Sequence, residues 1–174
     1  RDFCLSRGLG DVYKRQVFYI RLSRKKAEQI YMSGSTFEIG KANTLREGND
    51  ATIIASGICV SDACRVADKL ADEGIHVRVL DMFTIKPIDK EAIIKASKET
   101  GAIVTVENHN IMNGLGSAVS EVLSEEAPCR MKRLGAPDCF GEVGTVPFLK
   151  EKYHMAEKDI EEAVKSLVCK KDVA

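Results

Sequence analysis

The sequence carries no surplus charge of either sign: 26 lysines and arginines balance 26 aspartates and glutamates over 174 residues. No net field therefore recruits nucleic acid or an anionic membrane. No apolar run approaches the length of a membrane span, and no stretch reads as a secretory signal. Cys4, Cys59, Cys64, Cys129, Cys139 and Cys169 include no Cys-x-x-Cys pair. His76, His109 and His154 are dispersed, so no metal site is expected. Reduced thiols in a cytoplasmic protein are the expected state. There is no G-x-G-x-x-G directly after the first strand and no nucleophile elbow. Internal repeats and low-complexity tracts are also missing.

What remains is an ordinary globular composition, 44% apolar and 30% charged, enough for one sizeable core with an appended fragment. Residues 1–16 have no sustained period. Asp11-Val12-Tyr13-Lys14-Arg15-Gln16 back-translates as GAT GTG TAT AAG AGA CAG, which resembles the end of a transposon adaptor used in sequencing libraries. Residues 1–16 are therefore expected to be non-native, with the natural sequence entering at Val17 in mid-gene.

From Val17 the chain alternates strands and helices. Val17-Phe18-Tyr19-Ile20 reads as a buried strand with a polar exit at Arg21-Leu22-Ser23-Arg24. Ser33-Gly34-Ser35 marks a linker, and a second strand region is expected within Phe37–Leu45. Thr52–Ala55 is a short apolar strand. The next helix takes Ser61 as its cap and turns Ala63, Val66, Ala67, Leu70 and Ala71 to one side. Strands follow at Ile75–Leu80, Ala102–Val106 and Arg130–Leu134. Leu115, Ala118, Val119, Val122 and Leu123 line one helix, and Ile160, Ala163, Val164, Leu167 and Val168 line the last. This alternation predicts an α/β fold: three layers, a mostly parallel sheet with helices on both faces.

The stretch Asp81–Asp89 is scripted in most detail. Pro87 fixes its own φ and keeps Lys86 out of the helical region. Asp89 then caps a helix, Ile88 staples against Ile93 beyond the cap, and Gly101 closes the helix at its far end.

Three places invite chemistry. Glu107-Asn108-His109 follows a strand and precedes Gly114-Leu115-Gly116 at a helix start, where a phosphate or carboxylate would be welcome. A tight turn for close helix packing is the preferred reading of those glycines. Glu107 and His109 read either as an acid–base pair or as polar loop residues at a domain interface, with the second preferred. Pro137–Thr145 is rich in turn formers and is expected to pack close to another backbone. Its Cys139 lacks an adjacent base, so a structural role is preferred.

These residues also carry a resemblance. Tyr19–Arg24, Phe37-Glu38-Ile39-Gly40-Lys41-Ala42, Asp81–Asp89, Glu107-Asn108-His109 and Phe140-Gly141-Glu142 occur in the order found in transketolases. The chain resembles the C-terminal end of that family, and especially the C-terminal subunit of transketolases split into two chains. Asn113 stands where the family often has the first glycine of Gly-Gly-Leu-Gly. Asparagine tolerates positive φ, but an anion-binding role for this turn becomes less favoured.

The resemblance implies ketol transfer between sugar phosphates, as in the pentose phosphate pathway, with thiamine diphosphate and Mg2+ in the complete enzyme. It implies that N-terminal domains or a subunit hold the cofactor. This fragment would then have no catalytic, cofactor-binding or metal-binding residues, would bind no cofactor and would be inactive alone. Partners would be those N-terminal domains, within a homodimer or heterotetramer. Arg24 matches an arginine that grips the substrate phosphate. The implied division is 17–24 as the tail of the pyrimidine-binding domain, 25–50 as linker and leading strand, and 51–170 as the C-terminal domain. The alternatives are the matching domain of 1-deoxyxylulose-5-phosphate synthase, that of a 2-oxo-acid dehydrogenase beta subunit, or a free-standing regulatory or binding module.

Overall fold

A computed structural model describes residues 17–23 and 27–168. Its centre is a five-stranded sheet in the order β1-β3-β2-β4-β5. The strands are β1 (Asn43–Arg46), β2 (Ala51–Ala55), β3 (Val77–Asp81), β4 (Ala102–Asn110) and β5 (Arg130–Ala136). β3, β2, β4 and β5 run parallel, while β1 lies antiparallel along the outer side of β3. The helices are α1 (Cys59–Asp72), α2 (Lys90–Thr100), α3 (Leu115–Glu126), α4 (Val146–Lys152) and α5 (Glu157–Val168).

The strands are apolar on both sides because both faces are covered. Ile53, Val79 and Val104 point into one core with Val66 and Leu70 of α1 and Ile160 and Val164 of α5. Their neighbours Ile54, Leu80 and Ile103 point the other way, onto Ile93 and Ala96 of α2 and Leu115, Val119 and Val122 of α3. Successive side chains in a strand alternate in this way, so two adjacent isoleucines serve two cores. The three-layer arrangement is as expected.

The Asp89 cap is also as expected. Its Oδ1 accepts from the Ala92 amide at 3.1 Å, and Ile88 packs onto the core that holds Ile93. Gly101 ends α2 with φ 63°.

Several elements differ from expectation. Val17–Ile20 is not a buried strand: it is irregular and exposed. The five-stranded sheet does not include this segment, so no strand of it pairs with the segment's backbone. Within Phe37–Leu45 only the last part is strand, because a turn at Gly40 with φ 84° interrupts it. Ser61 lies inside α1 and does not cap it. The helix begins earlier, on a backbone turn in which Cys59 and Val60 donate to the carbonyls of Ser56 and Gly57. β3 starts at Val77, since His76 exchanges its amide and carbonyl with the carboxylate and amide of Asp50. α4 was not expected at all. The Oγ1 of Thr145 accepts from the Phe148 amide, and Pro147 falls in its first turn.

Candidate functional site at the carboxyl edge of the sheet

Because β2, β3, β4 and β5 are parallel, the segments after them all emerge at one edge. In open α/β sheets this carboxyl edge is where ligands sit. The most polar part is the end of β4 itself, which runs on through Glu107-Asn108-His109 where the strand was expected to stop at Val106. Glu107 is 2% exposed. Its Oε2 accepts from the Leu115 amide at 2.7 Å and its Oε1 from the Gly116 amide at 2.8 Å. These are free N–H groups of the first turn of α3, at the positive end of its dipole. The anion site anticipated at Gly114-Leu115-Gly116 is thus filled by the chain's own carboxylate.

The glycines are required by this arrangement. A Cβ on Gly114 would lie 2.0 Å from Glu107 Oε2, and one on Gly116 would lie 2.9 Å from Thr105 Oγ1. Asn113 adopts φ 58°, and its amide donates to Ser117 Oγ at 2.9 Å. The turn therefore survives the exchange of glycine for asparagine.

His109 does not share the Glu107 carboxylate. It is exposed, with Nδ1 3.3 Å from the Asn110 carbonyl, while both Glu107 oxygens are taken by α3. The acid–base pair is therefore not formed, and His109 is an exposed polar residue within β4 where a loop was expected.

The Asp81–Asp89 corner, which follows β3, holds the segment that precedes β1. Asp89 Oδ2 accepts from the Ala42 amide at 2.9 Å, and Thr84 Oγ1 from the Gly40 amide at 3.0 Å. The Phe37 ring packs edge-on against both Tyr31 and Phe83. The Tyr31 hydroxyl donates to Asp81 Oδ2 at 2.6 Å. Burial raises the pKa of the Asp81 carboxyl above its ordinary value, and the Tyr31 hydroxyl offsets part of that rise. Burial, then the bond to Asp81, pushes the Tyr31 hydroxyl far above its ordinary value. The Lys86–Pro87 bond is cis. The corner is a clasp for the incoming chain, and Asp89 serves both sides of it.

A fourth buried carboxylate, Asp62 in the first turn of α1, joins three helices. It accepts from Arg65 at 2.6 Å and from Lys150 of α4, and Arg65 also reaches Glu28 and Glu157 of α5. Cys59 beside it is buried, which pushes its thiol up to about 12. Cys59, Cys64, Cys129 and Cys139 are free, and among the described residues no cluster of His, Cys, Asp and Glu is placed to hold a metal. Among those residues, too, no helix is long and apolar enough to cross a membrane.

Arg24 lies outside the described residues. Arg21, three positions before it, donates from Nη2 to the Asn108 carbonyl at 2.8 Å. Sequence reasoning passed over Glu107 as a helix anchor and Arg21 as a tether. A carboxylate shortly before a glycine-bounded helix start was the available signal for Glu107. None existed for Arg21.

A mostly parallel sheet closed by helices on both faces, with Glu107 capping α3 and the Asp81–Asp89 corner holding the segment before β1, defines a three-layer α/β domain. The family model described as "Transketolase, C-terminal domain" matches residues 40–160, and the chain belongs to that family. It is 45% identical over 154 residues to a 6-deoxy-6-sulfo-D-fructose transketolase subunit, SqwH, of a Clostridium species (strain MSTE9), covering 88% of this chain and 48% of that protein. It is 41% identical over 134 residues to a 1-deoxy-D-xylulose-5-phosphate synthase of Heliobacterium modesticaldum, covering 76% of this chain and 21% of that one. A solved structure described as "Split gene transketolase, inactive beta4 tetramer" superposes with a TM-score of 0.81 at 42% identity, covering 87% of this chain and 49% of the other. The chain thus spans about half the length of the transketolase subunits it matches.

Proposed function

We propose that this chain is the C-terminal part of a thiamine diphosphate-dependent transketolase that moves a two-carbon ketol unit between ketose and aldose phosphates. Its own part is assembly. The observation that carries this reading is the match of residues 40–160 to the transketolase C-terminal family model; at the start of α3, Glu107 takes the place an external anion would fill. The thiamine diphosphate and its Mg2+ are held elsewhere than on this chain. Both belong to N-terminal domains, on the same polypeptide or on a partner subunit, in a cytoplasmic homodimer or heterotetramer. Residues 1–16 are non-native, 17–24 are the tail of the pyrimidine-binding domain, 25–50 are the linker and leading strand, and 51–170 are the C-terminal domain.

Arg24 grips the substrate's terminal anion. Its planar, permanently charged fork donates two hydrogen bonds to one oxyanion. The chain's relatives include proteins named for a phosphate-bearing sugar and for a sulfonated one, and such a fork suits either end group.

A second reading, 1-deoxyxylulose-5-phosphate synthase, is favoured by the 41% identity to that enzyme over 76% of this chain. One experiment separates the two. The polypeptide completed from the upstream gene, with thiamine diphosphate and Mg2+, is expected to transfer ketol units between sugar phosphates. Formation of 1-deoxyxylulose 5-phosphate instead would select the second reading. Calorimetry of the 174-residue chain with thiamine diphosphate and Mg2+ is expected to give no binding. Micromolar affinity overturns the assignment of roles.

A further inference from the structure

From β1 onward, Ile85, Met112, Phe140, Val143, Val146 and Phe148 are the large apolar side chains left exposed among the described residues. Their positions are not scattered. Ile85 follows β3, Met112 follows β4, and Phe140 and Val143 follow β5, so all four emerge at the carboxyl edge. Val146 and Phe148 lie in α4, directly after the last of these loops. The loops at the opposite edge and the outer faces of the other helices contribute none. The loop after β5 is the extreme case. Residues 137–148 are exposed without a break, with Phe140 at 102% and Val143 at 99%. A Cβ on Gly141 would meet nothing within 4 Å. Side chains this bare, gathered on one side, mark an interaction surface.

The arm before the clasp says what covers it. Arg21 ties the arm to the Asn108 carbonyl, at the end of β4. Val17 stands four residues earlier, and four residues span at most about 14 Å. The arm's own Val17, Phe18, Tyr19, Ile20 and Leu22 are also exposed. Whatever body the arm leaves must therefore stand over the carboxyl edge.

A second copy of this chain is less suited to the sheet's open side. There β5 presents Arg130, Lys132 and Arg133 along an edge strand, which deters pairing between like copies.

We infer that the carboxyl edge, from Ile85 through Met112 to the Phe140–Phe148 segment, is the seat of the preceding pyrimidine-binding domain, with the loop after β5 as its main apolar contact. This rests on reading residues 17–24 as the tail of that domain. Phe140 and Val143 are the anchors, and Arg21 sets where the incoming domain lands.

Hydrogen exchange tests this in the polypeptide completed from the upstream gene. Amides of residues 137–148 are expected to exchange about tenfold or more slowly than in the 174-residue chain. Those of the 73–76 turn, at the opposite edge, are expected to be unchanged. Phe140→Glu with Val143→Glu should abolish the protection while leaving the melting of the 174-residue chain unaltered, because neither side chain is packed there. Unprotected 137–148 amides in the completed polypeptide would overturn the inference, as would equal protection at both edges or an upstream gene that encodes no such domain. Concentration-dependent protection in the 174-residue chain would assign the surface to a second copy and overturn it too. Protection without ketol transfer would leave the surface standing and remove the transketolase reading. Transfer without protection would do the reverse.

Discussion

Gly114 and Glu107 fit together with no room for a methyl group: a Cβ on Gly114 would stand 2.0 Å from Glu107 Oε2. The close approach lets the carboxylate turn both oxygens to the amides of Leu115 and Gly116. Gly114 has φ −104°, so the constraint is steric and does not come from backbone strain. Gly114→Ala is expected to cost about 2–4 kcal/mol, the range for displacing a buried charged acceptor from its donors. Glu107→Gln keeps the shape but sets an amide NH2 against a backbone N–H, at about 1–3 kcal/mol. Urea unfolding of each variant checks both values. A loss below about 0.5 kcal/mol for Gly114→Ala, the scale of a neutral surface change, would refute the fit.

Asp89 holds two amides from different parts of the chain, Ala92 within α2 and Ala42 before β1. Asp89→Ala should therefore cost more than an ordinary cap, about 2–3 kcal/mol in place of about 1. Asp89→Ser retains the cap but cannot reach as far, so it should recover roughly the cap's share. Exchange at the Ala42 amide should rise in both variants. Protection of Ala42 retained in Asp89→Ala would show that the clasp does not depend on this carboxylate.

Asp81 gives a pH dependence of definite sign. Its folded-state value is raised above the ordinary 3.8 by burial, with the Tyr31 hydroxyl working in the opposite direction. Below the ordinary value both folded and unfolded chains carry the proton, and the buried neutral acid costs nothing extra. As pH rises from there through the raised value, the unfolded chain ionises first and stability is withdrawn. Asp81→Asn removes this loss and can still accept from Tyr31. Its stability relative to the native chain is expected to increase with pH across that window and then level off. Chemical denaturation at a series of pH values supplies the difference; a flat difference counts against the assignment. Asp68 and Glu161, whose values are lowered by Arg46 and by Lys165 with Lys69, act in the opposite sense. They cancel in the comparison of variant with native chain.

Arg24→Ala in the completed enzyme is expected to raise KM for phosphorylated donors and acceptors and to lower their kcat/KM by about ten- to a hundredfold, the scale of one lost charge-assisted pair. Non-phosphorylated substrates should be affected little. Equal kinetics for phosphorylated substrates in variant and native enzyme would remove Arg24 from the site.

Much of the fold was legible along the chain because its signals are local. The apolar stripes of α1, α3 and α5, the cap at Asp89 and the left-handed close at Gly101 each depend on residues within a few positions of one another. The exposed Val17–Ile20 segment shows where that logic ends, since an apolar β-rich run becomes a strand only beside another strand. Thr145 and Pro147 signalled α4 locally, but they were hidden by the glycines before them.

The sequence by itself determined the order of strands and helices, the two-sided burial of the sheet and the family, because periodicity, capping and ordered motifs are written in neighbouring residues. Tertiary structure alone decided that Glu107 fills the start of α3, that Asp89 also grips Ala42, and that Arg21 fastens the arm to Asn108. Asp89–Ala42 and Arg21–Asn108 join groups 47 and 87 residues apart. Glu107 reaches its amides only because β4 and α3 fold back on each other. No local pattern encodes such meetings; they exist once the parallel sheet has brought its carboxyl ends to one edge.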